Sequence, residues 1–182
     1  MSPIPHSARG FTLVELIAVL VLTGILGAVA SSRFIGRESF DIRAYTDQTL
    51  ATLRFAQKVA ITQNRPVFVR LNGASIALCF DAACTVRVLV PGGNSASSET
   101  LAACASDKTW YCEAPPAATT YALSPALNAS NPYFFFSALG KPYAASDGST
   151  GDGSFATLTL TLQRGGELQK LYVEQDTGYV HQ

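Results

Sequence analysis

RGFTLVELIAVLVLTGILGAVASSRF, residues 9–34, is the stretch on which the fold turns. After Arg9 and Gly10, positions 11–30 hold no basic residue. At about 1.5 Å of rise per residue they make roughly 30 Å of helix, the thickness of a bilayer's hydrocarbon core. One acid, Glu15, interrupts them. A carboxylate inside hydrocarbon costs about 3 kcal/mol on insertion scales, so an acid retained there marks a function. Two plainer readings leave Glu15 unexplained. A secretory signal peptide has an apolar core of about 7–15 residues followed by a small-residue cleavage site. Ala28-Val29-Ala30 mimics that site, but the apolar run is too long and Glu15 serves no purpose in it. A single-span anchor has the right length and gives Glu15 no partner.

Downstream the apolar pattern becomes one-sided. Ile42, Tyr45, Thr49, Leu53, Ala56 and Ala60 recur at three- and four-residue steps, widened by Leu50 and Gln57, while Asp47, Arg54 and Lys58 fall off the stripe. No proline lies between Phe11 and Arg65, so helix is predicted through both halves, apolar over 11–36 and amphipathic over 37–64. Gly36 softens the junction. Asn64-Arg65-Pro66 ends the helix, because the residue before proline avoids helical angles. From Pro66 the period falls to two. Residues 67–71 read as a strand closed by the Asn72-Gly73 turn, and 75–80 and 85–90 as two more strands joined through Asp81-Ala82-Ala83. Residues 92–132 are a Ser/Ala/Pro/Asn-rich stretch with weak periodicity, expected as a long loop. Order returns with the aromatic run Tyr133 to Phe136, expected as buried strand, then 155–162 and 168–173 around Gly165-Gly166. Asp176-Thr177-Gly178 turns into the last strand. A long helix followed by antiparallel strands predicts an α+β domain, 37–182, with the helix on a sheet face.

Gly10, Phe11, Thr12, Leu13, Val14 and Glu15 ahead of an apolar helix resemble the type IV prepilin signature. Within the soluble part, LRFAQKVAITQNRPVFVRL (53–71), FFFSALGKP (134–142) and YVEQDTGYV (172–180) look like the type II secretion H pseudopilin and FimT group, and are also similar to mannose-sensitive haemagglutinin minor pilins of the C kind. The resemblance implies a leader, 1–10, removed by a membrane-embedded prepilin peptidase between Gly10 and Phe11, with methylation of the new Phe11 amine. It implies that Glu15 pairs with the amine of a neighbouring pilin or pseudopilin subunit during assembly through the helix. It places the chain in the bacterial inner membrane before assembly, with its carboxyl-terminal domain in the periplasm. Counting cations runs the other way, with Arg9 before the span and Arg33, Arg37 and Arg43 after it. Peptidase action at the cytoplasmic face and the downstream cysteines outweigh that count. Many pilins carry a proline partway along this helix; here there is none.

An even cysteine number in an oxidising compartment reads as disulfides. Cys79, Cys84, Cys104 and Cys112 allow three connectivities; the two local pairs, 79–84 and 104–112, are preferred. Zinc would want C-x2–4-C pairs or histidine partners; only Cys79 and Cys84 have that spacing, and the two histidines are His6 in the leader and His181 at the tail. No cofactor pattern and no catalytic constellation is present: Gly148, Gly151 and Gly153 precede no helix, and Asp147 and Asp152 sit in a Gly/Ser-rich turn. The 182 residues hold 13 basic and 13 acidic groups, and losing Arg9 with the leader leaves 12 against 13. Such neutrality gives no general attraction to nucleic acid. DNA binding for uptake, or adhesion, is therefore the second reading, and for DNA Arg70, Arg87, Arg164 and Lys170 would have to converge.

Overall fold

The structure, a computed structural model, describes residues 12–34, 37–148 and 151–182. Gly10 and Phe11 lie outside the described residues. The chain divides into two compact units, Met1–Arg37 and Glu38–Gln182. The first contains α1, Leu13–Phe34. The second begins within α2, Arg37–Thr62. The expected stripe of α2 is its buried face: Ile42, Tyr45, Thr49, Leu53, Ala56 and Ala60 are all buried. The helix stops two residues before the expected end. Asn64 takes a left-handed φ of +50°, and the Arg65 amide donates to the Ala60 carbonyl at 3.1 Å, closing the last turn.

Two antiparallel sheets follow. The first has the order β3-β2-β1-β5-β6, built from Cys112–Glu113, Ile76–Cys79, Val67–Leu71, Tyr133–Phe136 and Pro142–Ala144. The second has the order β4-β7-β8-β9, from Thr120–Ser124, Leu158–Arg164, Glu167–Val173 and Val180–His181. Strand alternation sorts the side chains. Val67, Val69, Leu71, Leu78, Phe134 and Phe136 turn one face of the first sheet into the main core. Leu158, Leu160, Leu162, Leu171, Val173 and Val180 of the second sheet join it, together with the α2 stripe. The opposite face of the first sheet is covered as well. There Phe68 and Phe135 lie 5.2 Å apart, Tyr143 stacks on Phe135 at 5.5 Å, and Cys79, Cys112 and Trp110 form a neighbouring cluster. The chain is α+β.

Polar clamps fix α2 to the carboxyl-terminal hairpin. Arg54 donates from Nε and Nη2 to the Val180 carbonyl at 3.0 and 2.8 Å, and Gln57 donates to the carbonyls of Gly140 and Thr177. Gly178 takes φ +66° in that turn, and any Cβ there would collide with the Gly140 carbonyl oxygen. Only glycine satisfies both demands.

Two segments depart from expectation. Residues 85–90 are not a strand; they make only isolated bridges, Cys79 to Arg87 and Leu89 to Trp110. The Asp81 carboxylate takes the amides of Thr85 and Val86 at 2.9 and 2.6 Å, and Cys84 turns at φ +59°, so the chain leaves β2 early. Residues 92–132 are not one loop. They hold α3, Ser98–Ala103, as well as β3 and β4. Ser97 caps α3 by accepting from the Thr100 amide at 3.1 Å, and the Asn94 amide donates to the Asp107 and Trp110 carbonyls.

Asp107 ties this insertion down. It pairs with Arg87 at 2.7 Å, and Arg87 lies over the Trp110 ring. Hydrogen bonds from the Thr109 side chain and from Arg87 hold the Asp107 carboxyl down at about 2. A depressed value in the folded state means its contribution is complete above the ordinary carboxylate range and is lost as pH falls through about 4 towards 2. Acid titration followed by fluorescence of Trp110, the chain's one tryptophan, should show a transition in that window that Asp107→Asn flattens.

Candidate assembly helix

α1 is apolar around its whole circumference. Ten large aliphatic side chains, Leu13 and Val14 through Leu26, are between 48 and 75% exposed. Burying one such side chain is worth about 1.5–3 kcal/mol, so a helix apolar on all sides belongs in a core or a membrane. Its polar groups fit the same surroundings. Thr23 returns its hydroxyl to the Val19 carbonyl at 2.8 Å and the Leu20 carbonyl at 3.1 Å, leaving no donor for water. Among the described residues no helix is long and apolar enough to cross a membrane. The apolar run read from the sequence includes Phe11 and the side chains of Val29 and Ala30, which lie outside them.

Glu15 stands in the first turn of α1. Its amide donates to the Thr12 hydroxyl at 3.3 Å, so Thr12 acts as the N-cap. An acid in the first turn also complements the helix dipole. The sequence signal for this cap was present as Thr12-x-x-Glu15, a Ser/Thr followed three residues later by Glu. Glu15 thus has a modest local role at the start of α1.

The remaining residues of interest are scattered. Cys79 is bonded to Cys84 and Cys104 to Cys112, so no cysteine is free among the described residues. No group of His, Cys, Asp and Glu among the described residues is arranged to hold a metal. Asp147 organises its turn, accepting from the amides of Ala144 and Ser154 at 2.8 Å each. His181 is held more firmly than its position suggests, with Nε2 2.9 Å from the Glu174 carboxylate and its ring stacked by Tyr172 and Tyr179. The four cations do not form one patch. Arg87 is paired with Asp107, Arg164 with Asp41 at 3.2 Å, and Arg70 donates to the Ala82 carbonyl. Arg70 and Lys170 stand on different sheets.

Residues 5–31 match the prokaryotic N-terminal methylation motif. The amino-terminal part of the chain is thus similar to that of type IV pilins. The type IV narrow pilus major component PilA5 of Thermus thermophilus is 40% identical over 60 residues, which make up 33% of this chain and 52% of that protein. The chain therefore spans about half the length of that relative. The type IV minor pilin FimU of Pseudomonas aeruginosa aligns over 79% of this pilin-like chain and 88% of its own, at 12% identity and a TM-score of 0.51, which shows a shared fold. The minor pseudopilin EpsH of the type 2 secretion system of Vibrio cholerae aligns over 78% and 94% at 12% identity and a TM-score of 0.49. Pilins and pseudopilins are structural proteins rather than enzymes.

Proposed function

We propose that this pilin-like chain is a minor structural subunit of a type IV pilus or a type II secretion pseudopilus. Prepilin peptidase removes residues 1–10, Phe11 becomes the methylated amino terminus, and the chain waits in the inner membrane with residues 37–182 in the periplasm. Residues 11–36 then pass from lipid into the core of the filament, where helices of other subunits replace the acyl chains. The observation that carries this reading is α1 itself, with ten exposed aliphatic side chains and a single acid in its first turn. Lipid and a helix bundle are the two surroundings that suit such a surface. The paired cysteines support the periplasmic side, since disulfides persist in oxidising compartments. The segments resembling H pseudopilins and the FimT group support a minor role. Nothing favours DNA binding over it, because three of the four cations it would use are engaged within the chain.

The test is to shear filaments from cells and quantify the chain by peptide mass spectrometry. It should be present well below the major subunit, and should remain in the inner-membrane fraction when the assembly machinery is deleted. Its recovery only as a soluble protein, with filaments devoid of it, would end this reading.

A further inference from the structure

Both ring nitrogens of His181 face oxygen. Nε2 lies 2.9 Å from Oε1 of Glu174, and Nδ1 lies 3.2 Å from the Gln182 carbonyl oxygen. An ionised carboxylate and a carbonyl can only accept. A neutral imidazole carries a single N–H, so it can answer one of them and must turn a lone pair on the other. The imidazolium answers both. The rings of Tyr172 and Tyr179 stack on the imidazole with centroids 5.2 and 5.3 Å away, and aromatic faces favour a cation over a neutral ring.

The residues around His181 are tied to α2. Gln182 donates from Nε2 to Asp47 Oδ1 at 2.9 Å, and Arg54 holds the Val180 carbonyl. The charged and titratable groups about the imidazole come from three sides. Glu174 and Tyr172 belong to β8 and the residue after it, and Lys170 shares the Tyr172 face of that strand. Tyr179 comes from the turn, and Arg54 from α2. Asp47 and Arg43 stand further off, in the polar cleft that Gln182 also lines. Thr157 occupies Oε2 of Glu174 and leaves Oε1 to the ring. Hydrogen bonding to Glu174, and then to Gln182, raises the His181 pKa above its ordinary value, against smaller opposing effects of partial burial and of Arg54. Glu174 is held below the usual carboxylate range by His181 and then Thr157, so it stays ionised while the ring titrates.

We propose that His181 is a proton-operated latch: protonated, it clamps Gln182 against α2, and deprotonated, it releases that clamp. Loss of the proton leaves Nε2–H on the stronger, charge-assisted bond to Glu174 and aims the Nδ1 lone pair at the Gln182 carbonyl. Two lone pairs facing each other repel, so Gln182 moves, and with it the amide that holds Asp47. Val180 stays in place, because its burial and its bond to Arg54 do not involve the ring. A raised folded-state value makes the linked stability complete below about 6.5, and that stability is lost as pH rises through the folded value. The inference does not depend on the filament reading.

The test is a carbon-13 NMR titration of the full chain in a neutral maltoside detergent, from about pH 5 to about pH 9. It follows the His181 ring, the Gln182 side-chain carbonyl and the Asp47 carboxylate, with His181→Gln identifying the ring signal. His181 should titrate with a midpoint above about 6.5, and the Gln182 and Asp47 signals should move with that same midpoint. Glu174→Gln should bring the midpoint back to about 6.5 or below and carry the Gln182 and Asp47 movements with it. His181→Gln should abolish both movements. A parent midpoint at or below the ordinary value, a midpoint unmoved by Glu174→Gln, or Gln182 and Asp47 signals that stay still while His181 titrates, would overturn the proposal.

Discussion

Replacing Glu15 by alanine is expected to leave the chain cleaved and membrane-bound while lowering its share of purified filaments at least tenfold. Cleavage after Gly10 would create an α-amine on Phe11 next to hydrocarbon, and a desolvated cation needs a partner of opposite charge. Removing one member of a buried ion pair costs about 3–5 kcal/mol, and each 1.4 kcal/mol is a factor of ten, so tenfold is a lower bound. The competing role is smaller. As an acid in the first turn beside the Thr12 cap, Glu15 stabilises the helix end by about 0.3–1 kcal/mol. Glu15→Gln separates the two, since it keeps the size and polarity of the side chain and deletes the charge. Charge pairing makes glutamine as poor as alanine in filament incorporation. Near-normal incorporation of Glu15→Gln would leave only the local role.

The second large effect lies in the main core. Phe134→Ala is expected to destabilise the folded domain by about 3–5 kcal/mol, the usual range for removing a fully buried phenylalanine. Phe134 has no exposed surface, packs edge-on to Phe136 at 5.3 Å and lies 5.2 Å from Phe155. It pairs with Val69 across β1 on the face that meets α2 and the second sheet. Domains of this size are stable by about 5–15 kcal/mol in all, so the loss is a large fraction. Urea unfolding in detergent, read by Trp110 fluorescence, measures it. Phe135→Ala, on the opposite face within the small cluster of Tyr133 and Tyr143, should cost less. A loss for Phe134 no greater than for Phe135 would contradict the assignment of the main core.

Where a periodic apolar signal existed, the fold was legible. Ile42 to Ala60 kept the helical stripe, and Val67 to Leu71 and Tyr133 to Phe136 are strands over the residues expected. The hidden parts are built by polar side chains on backbone groups, which leave no period. Asp81 draws the amides of Thr85 and Val86 out of a ladder, so alternation in 85–90 misled. In 92–132, order comes from Glu113 receiving Ser95 and Thr100, from Asn94 bridging two carbonyls, and from the 104–112 disulfide. Those partners are distant in sequence or one of many Ser/Thr/Asn choices, and composition alone read as loop. Helix α1 was legible for the opposite reason. Its apolarity and the placing of Glu15 are local facts. The Thr12 cap was equally local, but the Thr-x-x-Glu spacing that signals it was not read.

The central claim is that proteolysis supplies Glu15 with a cationic mate by cutting between Gly10 and Phe11. Its most direct test is amino-terminal sequencing, with intact mass, of the chain purified from cells that possess the processing enzyme. The sequence should begin at Phe11, one methyl group heavier than the unmodified polypeptide. A chain that still begins at Met1, or that begins beyond Ala30, would contradict it.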